Sequence, residues 1–258
     1  VSLPTQQQIK DTANLKQKKF RDDSNLILVE GRHPIEEAWK AGLRLKHWFT
    51  QEGAPASSLP NASLKPTAFV VDEKTMAKMG STTSAPPCLA VFETPVSPQT
   101  ITGDLLLILD DLQDPGNLGT LIRSAIAFGF DAVVLTNESV EPWNPKVIRS
   151  SAGLVFAIPV LRLSKDELLK QLNESAYTLY ATTGKPGSLS YRNADYDKPC
   201  AIVLGNEGRG VSDDLLNHPK AQALTIPMDE RVESLNVGIS GSIILAEVAA
   251  HRNALQKR

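Results

Sequence analysis

Apolar residues fall in short runs between polar turns, and the spacing within the runs separates strands from helices. Residues 5–21 are polar and rich in helix formers, which predicts a first helix; Asn25 to Val29 then reads as a buried strand ended by Glu30-Gly31-Arg32. Pro34 suits a first helical turn, and Ile35, Ala38, Trp39 and Leu43 continue at helical spacing. Three further apolar runs, 47–50, 68–71 and 89–92, stand among segments rich in Pro, Ser and Gly. Together these predict a small α/β layer structure. The stretch 93–99 carries two prolines and neither a helical nor a strand pattern, so the boundary falls there, giving an N-terminal domain of residues 1–98 and a second of 99–258.

Beyond the boundary, runs at 105–109, 132–136, 178–182, 201–204 and 223–227 alternate with helices predicted over 118–128, near 144–152 and from about 236 to 256. Strands that read as continuous apolar runs between helices imply a mostly parallel sheet covered on both faces.

Composition narrows the function. Apolar residues make up 41% and charged residues 22% of 258, an ordinary globular mixture, and no run reaches the length of a membrane span. The opening residues lack the basic start and apolar core of a signal peptide, so a cytoplasmic protein is expected. Cys88 and Cys200 stand far apart, and the four histidines show no ligand spacing, so no metal is expected. No P-loop, nucleophile elbow or zinc-protease motif occurs. The net charge of −2 counts against a nucleic-acid partner, but residues 1–98 hold 12 Lys/Arg against 10 Asp/Glu, and Lys16, Lys18, Lys19 and Arg21 form a local basic group.

Ligands of open α/β sheets bind beyond the carboxyl ends of strands, which directs attention to three turns. In the first, Asp110 to Gly119 leads from a strand into an amphipathic helix on which Gly119, Thr120 and Arg123 share a strip. A bland reading makes Asn117 a helix cap and pairs Arg123 with Asp110, Asp111 or Asp114. The second, Gly205-Asn206-Glu207-Gly208-Arg209-Gly210, places three glycines in six residues after a strand. The third, Ile226 to Asn236, leads into a helix whose first turns carry Gly238 and Gly241; Ile226 and Leu235 suit an apolar slot for a flat base.

These three segments, DPGNLGTLIRSA, IVLGNEGRGVS and IPMDERVESLNVGIS, resemble in order and separation the three motifs of the SpoU/TrmH branch of the SPOUT methyltransferases. The third departs from that pattern between Asp229 and Glu233, where the family commonly has a glycine. The segment 28–38 is similar to the RNA-binding accessory domain of many members.

The resemblance implies a deep trefoil knot, a homodimer, S-adenosyl-L-methionine as methyl donor and a ribose 2′-hydroxyl of RNA as acceptor, with ribosomal RNA favoured over transfer RNA. Implied as catalytic are Arg123, Asn117, Glu207, Ser234 and Asn236. Gly205, Asn206, Ile226, Met228, Leu235 and Asn236 are implied as cofactor-binding, and Lys16, Lys18, Lys19, Arg21 and Arg32 are expected to face RNA. An arginine stays protonated in proteins, so the physical role expected of Arg123 is to fix a phosphate and stabilise alkoxide charge. The competing readings are a transfer-RNA or base methyltransferase, a catalytically idle RNA-binding or ribosome-assembly factor, and a nucleotide-dependent enzyme.

Overall fold

The structure is a computed structural model that describes residues 3–54, 67–82 and 84–256. The chain divides into two compact units, Val1–Val96 with Glu141–Ala157, and Ser97–Val140 with Ile158–Arg258.

In the first unit, α1 (Gln6–Asn14) starts at Thr5, whose hydroxyl accepts from the Gln8 backbone while the Gln8 side chain accepts from the Thr5 N–H. The helix predicted over 5–21 is broken at Leu15, which is buried, and resumes as α2 (Lys18–Ser24). Arg21 draws the break together by donating to the Leu15 carbonyl. There follow β1 (Leu26–Glu30), α3 (Arg32–Lys40), β2 (Leu45–Gln51), β3 (Thr67–Val71), α4 (Glu73–Met79) and β4 (Cys88–Glu93). The sheet order is β1-β4-β2-β3, antiparallel except for β2 with β3. Leu28, Phe49, Phe69, Leu89 and Val91 pack on one face with Ile9 of α1 and Met76 and Met79 of α4. The sequence reading missed α4, although Asp72 caps it by accepting from the Thr75 N–H.

The second unit opens with β5 (Leu105–Leu109), α5 (Pro115–Ala127) and β6 (Ala132–Thr136). The chain then joins the first unit for residues 141–157, which include α6 (Pro145–Ser150). This excursion has no counterpart in the sequence reading. It is fixed by an ion pair between Arg21 and Glu141, both almost fully buried, and by Arg149 on the buried carboxylate of Glu30. Gly153, at φ 81, lies against Pro34 so closely that an added Cβ would sit 2.6 Å from the Pro34 Cα.

The chain returns as β7 (Val160–Leu163), α7 (Lys165–Glu174), β8 (Thr178–Thr182), β9 (Leu189–Ser190), β10 (Cys200–Leu204), α8 (Asp213–Leu216), β11 (Ala221–Thr225) and α9 (Val237–Gln256). Every pairing in the seven-stranded sheet, ordered β7-β6-β5-β10-β8-β11-β9, is parallel. Strand residues alternate between faces. Leu106, Ile108, Val134, Ala201 and Val203 pack with Leu168 and Leu172 of α7 and Leu215 of α8. The alternate residues of these buried strands face the other layer, where Gly241 of α9 fits between Leu121 of α5 and Leu204 of β10. Apolar burial on both faces explains why β5, β6 and β10 read as uninterrupted apolar runs.

From β5 the chain steps outward through β6 to β7, while from β10 it steps to β11 on the opposite side. The sheet therefore reverses its winding between β5 and β10, whose carboxyl ends lie side by side with Leu109 opposite Leu204. That is the place where a doubly wound sheet offers a binding site.

Candidate functional site

The first two turns leave adjacent strands at this reversal, and the third follows β11. Helix α5 begins three residues earlier than its apolar spacing predicts, because Asp114 is the N-cap, accepting from the Asn117 N–H at 2.8 Å, and Pro115 occupies the first turn. Asn117 is thus free of the capping role, and its side chain links the other two turns. Its Nδ2 donates to Glu207 Oε1 at 3.1 Å, and its Oδ1 accepts from Asn236 Nδ2 at 3.1 Å. The Oδ1 of Asn236 in turn accepts from the Gly238 and Ile239 N–H groups, capping α9.

Glu207 also accepts from the backbone of Gln113 and Asp114. Burial by itself raises its pKa, but these hydrogen bonds, its own backbone N–H and the Asn117 amide together outweigh burial and hold the carboxyl below the usual glutamate value. Glu207 is therefore an ionised anchor and a poor proton acceptor. A carboxyl lowered by folding stabilises the protein above its unfolded pKa, and that contribution is lost as pH falls through the folded value. Glu207→Gln is expected to flatten the acid limb of stability, read as urea midpoints between roughly pH 3 and 6; an unchanged slope contradicts the assignment.

In the second turn Asn206 and Gly210 exchange backbone hydrogen bonds of 3.0 and 2.9 Å, closing the loop on itself. Asn206 Oδ1 accepts from the Gly208 and Arg209 N–H groups, and its Nδ2 donates to the Asp111 carbonyl. The side chain is thus occupied in shaping the loop. Gly205 is required by close approach, since a Cβ there would lie 2.1 Å from the Gly210 carbonyl carbon.

The third turn achieves its shape without the glycine common in the family pattern. Asp229 accepts from the Arg231 backbone and guanidinium, its carbonyl accepts from the Val232 N–H, and no residue of the turn has positive φ. Ile226 and Leu235 are half-buried, while Met228 and Ser234 are exposed. Among the described residues, the backbone N–H groups of Met228, Ser234 and Leu235 donate no hydrogen bond within the chain. An apolar edge beside open backbone donors suits a flat heteroaromatic ring.

Arg123 is exposed on α5 and makes no hydrogen bond or ion pair among the described residues. The carboxylates that the bland reading gave it are engaged elsewhere: Asp111 holds Arg209, Asp110 faces Lys165 at 3.7 Å, and Asp114 caps α5. Next to Arg123, Ser124 hydrogen-bonds Ser242 of α9 at 2.8 Å, so the helix that carries the guanidinium is braced.

The residues expected to face RNA are placed less uniformly. Arg21 is a correction: its guanidinium is buried against Leu15 and Glu141, where no phosphate reaches it. Lys16 is tied to the carbonyls of Lys78 and Gly80. Lys18 and Arg32 form exposed pairs with Asp22 and Glu36, and Lys19 is exposed. A recess lined by Tyr177, Lys198, Lys220 and Gln222 lies at the amino ends of β8 and β11, away from the winding reversal, and the site is placed at the carboxyl ends on that topological ground. Asp195, Asp197 and His251 also approach one another, but His251 is hydrogen-bonded to Asp197.

Residues 104–246 match the model of the SpoU rRNA Methylase family, and residues 6–90 match the MRM3-like substrate binding domain. The chain is 32% identical to the 23S rRNA (guanosine(2553)-2′-O)-methyltransferase RlmP of Bacillus subtilis, over 93% of this chain and 94% of that protein. It is 29% identical to the mitochondrial rRNA methyltransferase 3 of Xenopus tropicalis, covering 90% of this chain and 71% of that one. Its fold superposes on the AdoMet-bound rRNA methyltransferase of Sinorhizobium meliloti with a TM-score of 0.85 at 30% identity, covering 97% of each chain.

Proposed function

Because the chain belongs to the SpoU rRNA methylase family, we propose that it methylates a ribose 2′-hydroxyl of ribosomal RNA with S-adenosylmethionine. The observation that carries this reading is the hydrogen-bonded series Glu207, Asn117, Asn236, which joins the three turns beside Arg123, a residue that has no partner among the described residues. The match of residues 6–90 to a substrate-binding domain supports ribosomal RNA over transfer RNA.

The cofactor supplies an electrophilic methyl. The half-buried Ile226 and Leu235, the exposed Met228 and the open backbone donors of the third turn would hold its adenosine part, beside the loop that Gly205 closes tightly on itself; Asn206, Ser234 and Asn236 would lie toward the methionine part. Transfer joins ribose O2′ to the methyl carbon, breaks the sulfonium–carbon bond and releases the hydroxyl proton. Arg123 grips an RNA phosphate through paired N–H groups and stabilises negative charge growing on O2′. Asn117, Glu207 and Asn236 fix the start of α5, and with it the direction of that guanidinium. The Glu207 oxygens are taken by the N–H groups of Gln113, Asp114 and Asn117, so Glu207 is not assigned as the base and the hydroxyl proton would leave to solvent.

The same reading carries a trefoil knot, supported by the return of the chain across β10 to pack α9 on α5, and a cytoplasmic homodimer. Among the described residues no helix is long and apolar enough to cross a membrane. Val232 and Ile239 are exposed large apolar residues that a second copy would cover, so light scattering at micromolar concentration is expected to give twice the chain mass; a monomer contradicts the dimer. Mapping 2′-O-methyl sites in ribosomal RNA from cells with and without the gene tests the function. One position is expected to lose its methyl, and identical maps contradict the proposal.

A further inference from the structure

Hydrogen bonding between β5 and β10 ends at the level of Leu109 and Leu204, with the Asp110 N–H on the Leu204 carbonyl at 2.9 Å. Beyond that point, among the described residues, side chains hold the first turn against the second. Three carboxylates do so: Asp110 accepts from the Ser212 N–H at 2.8 Å, while Glu207 and Asp111 are offered in opposite directions across the two turns. Glu207 of the second turn takes N–H groups of the first, as described above. Asp111 of the first turn takes groups of the second: its carboxylate pairs with the Arg209 guanidinium, and its carbonyl accepts from Asn206 Nδ2 at 3.0 Å. It also turns the loop locally, receiving Gln113 Nε2 on Oδ1 at 2.5 Å and donating its N–H to Thr136 Oγ1 at 2.9 Å.

Asp111 adopts φ 58, a left-handed conformation that costs a residue with a side chain more than it costs glycine. Glycine would serve the backbone better at this position. What aspartate adds there is the carboxylate, and its partner Arg209 stands two residues from Glu207 in the loop assigned to the cofactor. The Arg209 side chain is 77% exposed, and an ion pair that open to solvent adds little stability. Its effect lies in geometry.

The geometry points to Asp111 as a positioning residue for methyl transfer, acting through Arg209 and Asn206 to set the cofactor loop against the turn that leads to Arg123. Methyl transfer requires the reacting atoms in line, and a misplacement of about 1 Å costs on the order of 100-fold in rate. The inference rests on the methyltransferase reading and adds to it a residue outside the three expected sets.

The test compares Asp111→Gly, Asp111→Asn, Arg209→Ala, Arg209→Lys and the double variant Asp111→Asn/Arg209→Ala with the unsubstituted protein. The substrate is ribosomal RNA from cells lacking the gene. Readouts are kcat with both substrates saturating, S-adenosylmethionine Kd by calorimetry, and Tm. Asp111→Gly is the informative variant, since it keeps the left-handed turn and removes the carboxylate alone. The expected result is a fall in kcat of about 10-fold or more in Asp111→Gly, Asp111→Asn and Arg209→Ala, with Tm unchanged or raised in Asp111→Gly and Kd little altered. Arg209→Lys is expected to recover part of the rate, and the double variant to be no slower than the slower single one, because the two residues act as one pair. Rates within about twofold of the unsubstituted protein overturn the inference, as does a loss of rate that tracks weakened Kd or lowered Tm. Absence of transfer by the unsubstituted protein overturns the methyltransferase reading itself, and the inference with it.

Discussion

Arg123→Ala is expected to lower methyl transfer by about 100- to 1000-fold while S-adenosylmethionine still binds. The size follows from what the side chain lacks: it is exposed, it pairs with no carboxylate among the described residues, and it stands on a helix whose start is fixed by Asn117 and Glu207. A cation left without a partner beside an anchored turn is available to an RNA phosphate, and its removal spares the third turn, where the cofactor is assigned. Arg123→Lys keeps the charge but loses the paired N–H geometry, so it is expected to recover only a small part of the rate. Near-normal turnover in Arg123→Ala contradicts the assignment, and loss of cofactor binding in that variant contradicts the division of labour between the turns.

The second large effect concerns stability. Arg21 and Glu141 are paired with side chains only 3% and 6% exposed, joining α2 to the excursion of residues 141–157. Removing either partner strands a buried charge, so Arg21→Ala or Glu141→Ala is expected to cost the first unit about 3–5 kcal/mol. The Nε of Arg21 has no hydrogen-bond partner among the described residues, which lowers the net value of the pair, and Arg21→Met with Glu141→Leu is expected to recover most of the loss. All three tryptophans, Trp39, Trp48 and Trp143, belong to this unit, so tryptophan fluorescence during urea unfolding reads it selectively. Single variants that unfold at the unsubstituted midpoint contradict the structural role of the pair.

Arg21 also shows where sequence reading stops. Its neighbours Lys16, Lys18 and Lys19 make it look like one of a basic surface group, and its partner lies 120 residues further on. Periodicity reports whether a position is apolar, and it is silent on charges buried by a distant counter-charge. The excursion that supplies Glu141 was illegible for the same reason, since the pattern of residues 141–157 does not record which unit they join.

Within the seven-stranded sheet, legibility followed burial. Strands β5, β6 and β10 are buried throughout and stand out as apolar runs, whereas β7 has four residues interrupted by Arg162 and was missed. Helix α7 was missed despite an explicit signal, Ser164 followed by Glu167, which form a reciprocal capping box.

At the site, the sequence reading assembled the three turns and singled out Arg123, Asn117, Glu207 and Asn236. Spacing alone, however, gave Asn117 a cap position that Asp114 occupies. It also treated Asp111 as one of three possible partners for Arg123. Its left-handed backbone and its pairing with Arg209 depend on β5 and β10 being neighbours, which becomes visible only when strand order is known.

The central claim is tested most directly by the chemical identity of the product. The protein is incubated with methyl-labelled S-adenosylmethionine and ribosomal RNA from cells lacking the gene, and the RNA is digested to nucleosides. The account predicts label in a single 2′-O-methylnucleoside from wild-type protein and almost none from Arg123→Ala. Label on a base, or no label in RNA, would contradict it.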